Sequence, residues 1–66
     1  MNVALFEDAL QKSGLKTKYL SDRLGISPQA FNKKRKGLTQ FTFKEVKSLM
    51  EPMNWSIQDV KKIFLD

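Results

Sequence analysis

Helix-stopping and helix-starting residues follow one another so closely in this chain that every helix in it has to be short. Gly14, Gly25 and Gly37 each close a segment, and Ser27-Pro28 opens one. Ser27 suits the N-cap, where a hydroxyl accepts from a free backbone N–H, and Pro28 suits the first helical position, where its missing N–H costs nothing. Asn2 gives a further N-cap, Thr42 with Glu45 matches the capping box, and Ser56 with Asp59 repeats the cap signal. These marks predict five helices. The first runs from Asn2 to the Ser13-Gly14 stop and the second from Lys16 or Thr17 to Leu24, with Thr17 the better N-cap by chemistry. The third spans 28–36. The fourth starts after Thr42 and ends near Met50, because the residue before Pro52 avoids the helical region. The fifth follows Ser56, after a turn through Met53-Asn54-Trp55.

The apolar spacing between these marks has the helical period and offers no strand. Val3, Leu5, Phe6, Ala9 and Leu10 recur along the first helix, and Leu15 follows its stop as a core contact. Leu20 and Leu24 share a face of the second, with Ser21 beside them small enough to admit another helix. Ile26 and Phe31 stand where a hydrophobic staple sets the angle at which the third helix enters. Phe43, Val46, Leu49 and Met50 are expected inside from the fourth helix, and Ile57, Val60, Ile63 and Phe64 from the fifth. Phe6, Phe31, Phe41 and Phe43 read as core. Tyr19 lies off the Leu20/Leu24 face. Trp55 and Phe64 suit the core and a dimer surface equally.

The third helix divides into two sides. Pro28, Gln29, Asn32, Lys33 and Lys36 share a polar and partly basic one, while Ala30, Phe31 and Lys34 face the opposite way. A lysine on the inner side has two solutions. Either the helix frays before Lys34 and Leu38 fills the space, or the stem of Lys34 packs inward while its ammonium reaches water.

Sixty-six residues form one small domain over 1–66, and with neither cysteine nor histidine it has no disulfide and none of the usual zinc ligand sets. Helix packing, with dimerisation as a further possibility, has to supply its stability. No cofactor, metal or small-molecule substrate is expected, and no apolar run approaches a membrane span. The opening MNVALFEDAL carries acids where a signal peptide carries bases, so a cytoplasmic location is expected. The net charge of +5 is unevenly placed. Residues 1–11 carry −2, residues 37–66 balance to zero, and residues 12–36 hold eight basic side chains against Asp22, a net +7. Such a block attracts polyanions, and it is also the kind of charge that keeps many surfaces soluble.

With Leu20, Ser21, Leu24, Gly25, Ile26 and Phe31, the segment 17–37 resembles the helix-turn-helix of the phage repressor and Cro family, the lambda-repressor-like or XRE type. The resemblance covers nearly the whole chain, since those domains are built of five helices with the second and third as the DNA-binding unit. Two positions depart from the family pattern: Ser21 stands where alanine is common, its hydroxyl able to bond back to a carbonyl of its own helix, and Lys34 stands where an apolar side chain is usual.

The resemblance implies a sequence-specific regulator of transcription, with the front of the third helix in the major groove of double-stranded DNA. It places Pro28, Gln29, Asn32 and Lys33 at base edges. Gln and Asn match adenine N6 and N7, and Lys donates to guanine. It places Lys16, Thr17, Lys18, Ser27, Arg35, Lys36, Thr39 and Gln40 at phosphates, helped by the free N–H groups of the second helix's start. A homodimer on a two-fold operator would multiply the few contacts one copy makes. A small modulator that binds a partner repressor protein through the third helix is the second expectation. An enzyme is not expected: the chain lacks a His or Cys nucleophile system, a phosphate loop and an evident pair of acids.

Overall fold

The computed structural model describes residues 1–65, and among them the chain is all-α with five helices: α1 (Val3–Ser13), α2 (Thr17–Leu24), α3 (Pro28–Arg35), α4 (Phe43–Met53) and α5 (Ile57–Phe64). Caps set most of the ends. Asn2 accepts from the Leu5 N–H, Ser27 from Ala30, and both capping boxes, Thr42/Glu45 and Ser56/Asp59, are closed in both directions. Gly25 ends α2 at φ 73°, a left-handed conformation that glycine adopts at little cost.

The core is aromatic and centred on α1. Phe6 is fully buried, and its ring meets Phe41 in a stacked pair at 5.2 Å, Trp55 at 5.9 Å, Phe64 at 6.2 Å and Phe31 at 6.5 Å. One side chain of α1 thus joins α3, the α3–α4 loop, the α4–α5 turn and α5. Leu20, Phe31 and Leu49 are equally inaccessible, and Leu10, Met53 and Ile63 complete the buried set. Trp55 and Phe64 are packed against this cluster and against each other at 5.8 Å. The Asn2 N–H donates to the Ile63 carbonyl, closing the start of the chain onto α5.

Four details differ from the sequence expectations. Lys16, not Thr17, is the N-cap of α2; its side chain makes no cap bond, and Thr17 is the first helical residue. The Leu20 N–H takes the Lys16 carbonyl at 3.2 Å, the phase that turns Leu20 and Ser21 fully inward. Burying that face outweighs a hydroxyl cap of about 1 kcal/mol.

Pro52 does not end α4 at Met50. The helix continues to Met53, which is buried, and Asn54 closes it at φ 55°. Proline at 52 removes the N–H that would reach the Ser48 carbonyl, and Arg23 Nε fills that acceptor from α2 at 3.1 Å.

Phe43 is 80% exposed instead of core. The Thr42 capping box fixes the start of α4, so with Leu49 and Met53 inward, Phe43 falls about a third of a turn off that face. Ile57 and Leu38 also face outward, at 61% and 73% exposure.

Lys34 takes neither of its two expected arrangements in full. Helix α3 does not fray before it, and Leu38 does not fill the space. The stem turns inward, but the ammonium meets Glu45 Oε1 at 3.1 Å, donates to the Gln40 carbonyl at 2.9 Å and lies over the Phe41 ring.

Candidate nucleic-acid interface

Helix α3 is held at both ends and on two sides. At its start the Ser27 Oγ accepts from the Ala30 N–H at 3.1 Å, while Ile26 and Phe31 on either side of the cap both belong to the core. At its end the Gly37 N–H reaches the Lys34 carbonyl and the Leu38 N–H reaches that of Lys33, with Gly37 at φ 82°. A Cβ built on Gly37 would come within 3.1 Å of Val3 Cγ2, so the end of α3 sits close against the start of α1.

Two cross-helix ion pairs fix its roll. Arg35 grips Glu7 of α1 in a two-pronged pair, Nε to Oε1 and Nη2 to Oε2, both at 3.1 Å. Lys34 grips Glu45 of α4 at positions where the two side chains are only 15% and 13% exposed. Burial pushes the Glu45 carboxyl upward, but the Thr42 N–H, the Lys34 ammonium and the Thr42 hydroxyl outweigh it and hold the group below its ordinary range. Beneath α3, Ser21 of α2 is fully buried, and its hydroxyl bonds back to the Lys18 carbonyl at 2.9 Å. This answers the polar atom introduced by serine at that position.

The residues expected at base edges, Pro28, Gln29, Asn32 and Lys33, are all exposed, as is Lys36. Asn32 Oδ1 also accepts from Arg35 Nη1 at 3.4 Å, a long contact.

The residues expected at phosphates are divided. Lys16, Lys36, Thr39 and Gln40 are exposed. Lys18 is exposed and paired with Asp22 one turn on, an attachment worth only about 0.3–0.5 kcal/mol in water. The Ser27 hydroxyl serves as the N-cap of α3, and the Gln40 carbonyl serves Lys34. Arg35 is committed to Glu7. Thr17 and Arg35 border one shallow depression together with Glu7, whereas Lys36, Thr39 and Gln40 border a separate, larger groove. Trp55 and Phe64, expected in the core or at a dimer surface, lie in the aromatic cluster, with Phe64 reaching the floor of that larger groove.

The charge pattern follows from these pairings. Asp8, Asp22, Glu7, Glu45 and Glu51 each hold a basic side chain of this chain, and Asp59 is taken by the Ser56 cap. The Ser56 N–H and hydroxyl hold the Asp59 carboxyl below its ordinary range. Within residues 12–36, Lys16, Lys33 and Lys36 have no carboxylate partner among the described residues, and these are the cations at the start of α2 and along the outer side of α3; Lys44 and Lys47 of α4 and Lys61 of α5 are likewise outside any ion pair there. Sequence reasoning did not anticipate that Lys34, Arg35 and Arg23 would be used internally. Their partners lie 11 to 28 positions away in the chain, beyond the reach of any helical spacing rule.

No family model, no curated protein and no solved structure matches this chain. No described helix is long and apolar enough to cross a membrane.

Proposed function

We propose that this chain is a sequence-specific DNA-binding regulator of transcription, with α2 and α3 as its helix-turn-helix and the outer side of α3 in the major groove. The observation that carries the reading is the division of labour on α3. Phe31, Lys34 and Arg35 are committed inward or to neighbouring helices, while Pro28, Gln29, Asn32, Lys33 and Lys36 remain outward on a helix with a fixed roll. A groove reader needs that arrangement, since base readout depends on side chains presented from a backbone that does not turn.

In this reading Gln29 and Asn32 address adenine, Lys33 donates to guanine, and Pro28 touches a thymine methyl. Lys16, Lys18 and Lys36 neutralise phosphates, with Thr17, Ser27, Thr39 and Gln40 donating through backbone or side-chain groups. Arg35, expected at a phosphate, stays with Glu7 in this reading and braces α3 beside those contacts. Two copies on half-sites about one helical turn apart form the working unit on DNA. The resemblance to the phage repressor and Cro family supports the same assignment. A cytoplasmic location, in a bacterial host cell or on its nucleoid, goes with this reading.

The deciding experiment is selection of bound sequences from a random duplex pool, with affinity for the winner measured against salt. A palindromic site and log K falling by about 0.9 per phosphate contact are expected. Affinity independent of salt would replace DNA by a protein partner for α3.

A further inference from the structure

A depression of about 760 Å³ is bordered by Lys36 at the end of α3 but by none of Pro28, Gln29, Asn32 and Lys33. Helix α4 contributes Val46 and Met50 to it, and α5 contributes Ile57 and Val60. Phe43 and Leu65 stand over it at 80% and 72% exposure. Exposed aromatic and aliphatic side chains gathered around one concavity mark an interaction site in a soluble domain, where single exposed apolar residues would need no explanation. The charged lining among the described residues is Lys36 and Lys47, and no described carboxylate borders the groove. Lys47 Nζ is 5.7 Å from the centre of the Phe43 ring, and Lys44 shares with both a second, shallow depression beside them.

We propose that this groove docks an acidic amphipathic helix of another protein, whose apolar side lies along Phe43, Val46 and Ile57 and whose carboxylates meet Lys36, Lys44 and Lys47. The mode is helix in groove, read by anchors three and four residues apart. Adding a strand would require a sheet edge, and the described residues contain no sheet.

Charge complementarity selects the partner. A second copy would bring the same lysines to the rim, and each chain carries a net charge of +5. A nucleic acid would satisfy the lysines but leave the aliphatic side chains of α4 and α5 against a polar backbone. The groove shares Lys36, Thr39 and Gln40 with the phosphate contacts of the DNA reading, but none of the base-edge residues of that reading, Pro28, Gln29, Asn32 and Lys33, borders it.

The test uses the full chain and a synthetic helical peptide of about sixteen residues, with Leu and Phe at anchor spacing and Glu on the remaining positions. Two control peptides replace every Glu by Lys, or scramble the order. Binding is followed by amide chemical shifts and by the fluorescence of Trp55, the chain's one tryptophan, which sits 5.8 Å from Phe64 on the groove floor. The Glu peptide is expected to bind at least about tenfold tighter than either control and to weaken with salt. Phe43→Ala and Lys47→Glu are each expected to lower its affinity by about tenfold. Both sites are exposed, so thermal unfolding of the two variants serves as the check on folding, and Phe43→Ala retains its affinity for duplex DNA. Equal binding of the Lys or scrambled peptide overturns the proposal, as does no binding of the Glu peptide. So does a dimer in sedimentation that Phe43→Ala dissolves, or tighter binding of a single-stranded oligonucleotide over the same residues. If the groove fails while duplex binding persists, only this inference falls; if duplex binding fails while the Glu peptide binds, only the DNA reading falls.

Discussion

Arg23 Nε donates to the carbonyl of Ser48 at 3.1 Å, the acceptor that Pro52 leaves without its helical N–H. The same guanidinium reaches Glu51 through Nη2, so one side chain of α2 supports the last turn of α4 where the proline interrupts it. Replacing Arg23 by Met is expected to destabilise the fold by about 1–2 kcal/mol, as the loss of a charge-assisted bond to a backbone carbonyl. In a Pro52→Ala background the helix supplies its own N–H, and the cost of Arg23→Met should shrink. Denaturant unfolding of the four proteins measures the coupling, and strict additivity would separate the two residues.

The Lys34–Glu45 pair predicts an acid limb in stability. Glu45 has a folded pKa below its ordinary 4.5, so the unfolded chain takes up the proton first as pH falls. The contribution is complete above about pH 4.5 and is lost as pH drops through the lower folded value. Glu45→Gln should be less stable than the parent at neutral pH and should show a flatter decline from about pH 5 downward. Urea midpoints across that range give the comparison, and parallel curves would mean the carboxylate contributes nothing specific.

On DNA, Gln29→Ala should relax preference at one base pair by about 1–3 kcal/mol, while Lys36→Ala should weaken all sequences alike and lower the salt slope by about one. Competition between the selected site and its single-base variants distinguishes the two effects. Footprints unchanged by either substitution would take α3 out of the groove.

Glu7→Ala removes the carboxylate that holds Arg35. Folding stability should drop by about 1–2 kcal/mol. Affinity for duplex DNA should nevertheless rise and its salt dependence steepen by about 0.9 in slope, because a cation next to the phosphates is set free. Salt titration of the parent and the variant decides it. Weaker binding by a folded Glu7→Ala would mean that Arg35, even when freed, reaches no phosphate.

Most of this architecture was legible from caps and periodicity. Ser27-Pro28, Thr42/Glu45 and Ser56/Asp59 located three helix starts because a cap is a local exchange of hydrogen bonds within four residues. The departures came where a distant partner or the phase of a helix overrode a local rule. Pro52 sits inside α4 because Arg23, 25 residues before Ser48, covers the exposed carbonyl. Thr17 lost the cap to Lys16 because the phase of α2 is set by what Leu20 and Ser21 bury against. Phe43 has the composition of a core residue but the angular position of a surface one, fixed by the cap one residue earlier. On α3, which side chains point outward followed from helical spacing. That two of its cations are spoken for by Glu7 and Glu45 did not, since such pairing is a property of the packed helices.

The close approach of Gly37 to Val3 sets a rule for anyone reprogramming this domain. The cassette open to redesign is Pro28, Gln29, Asn32, Lys33 and Lys36. Position 37 must stay glycine, and Lys34 and Arg35 must stay with their acids, so a library confined to those five positions changes what α3 addresses while leaving its mounting intact.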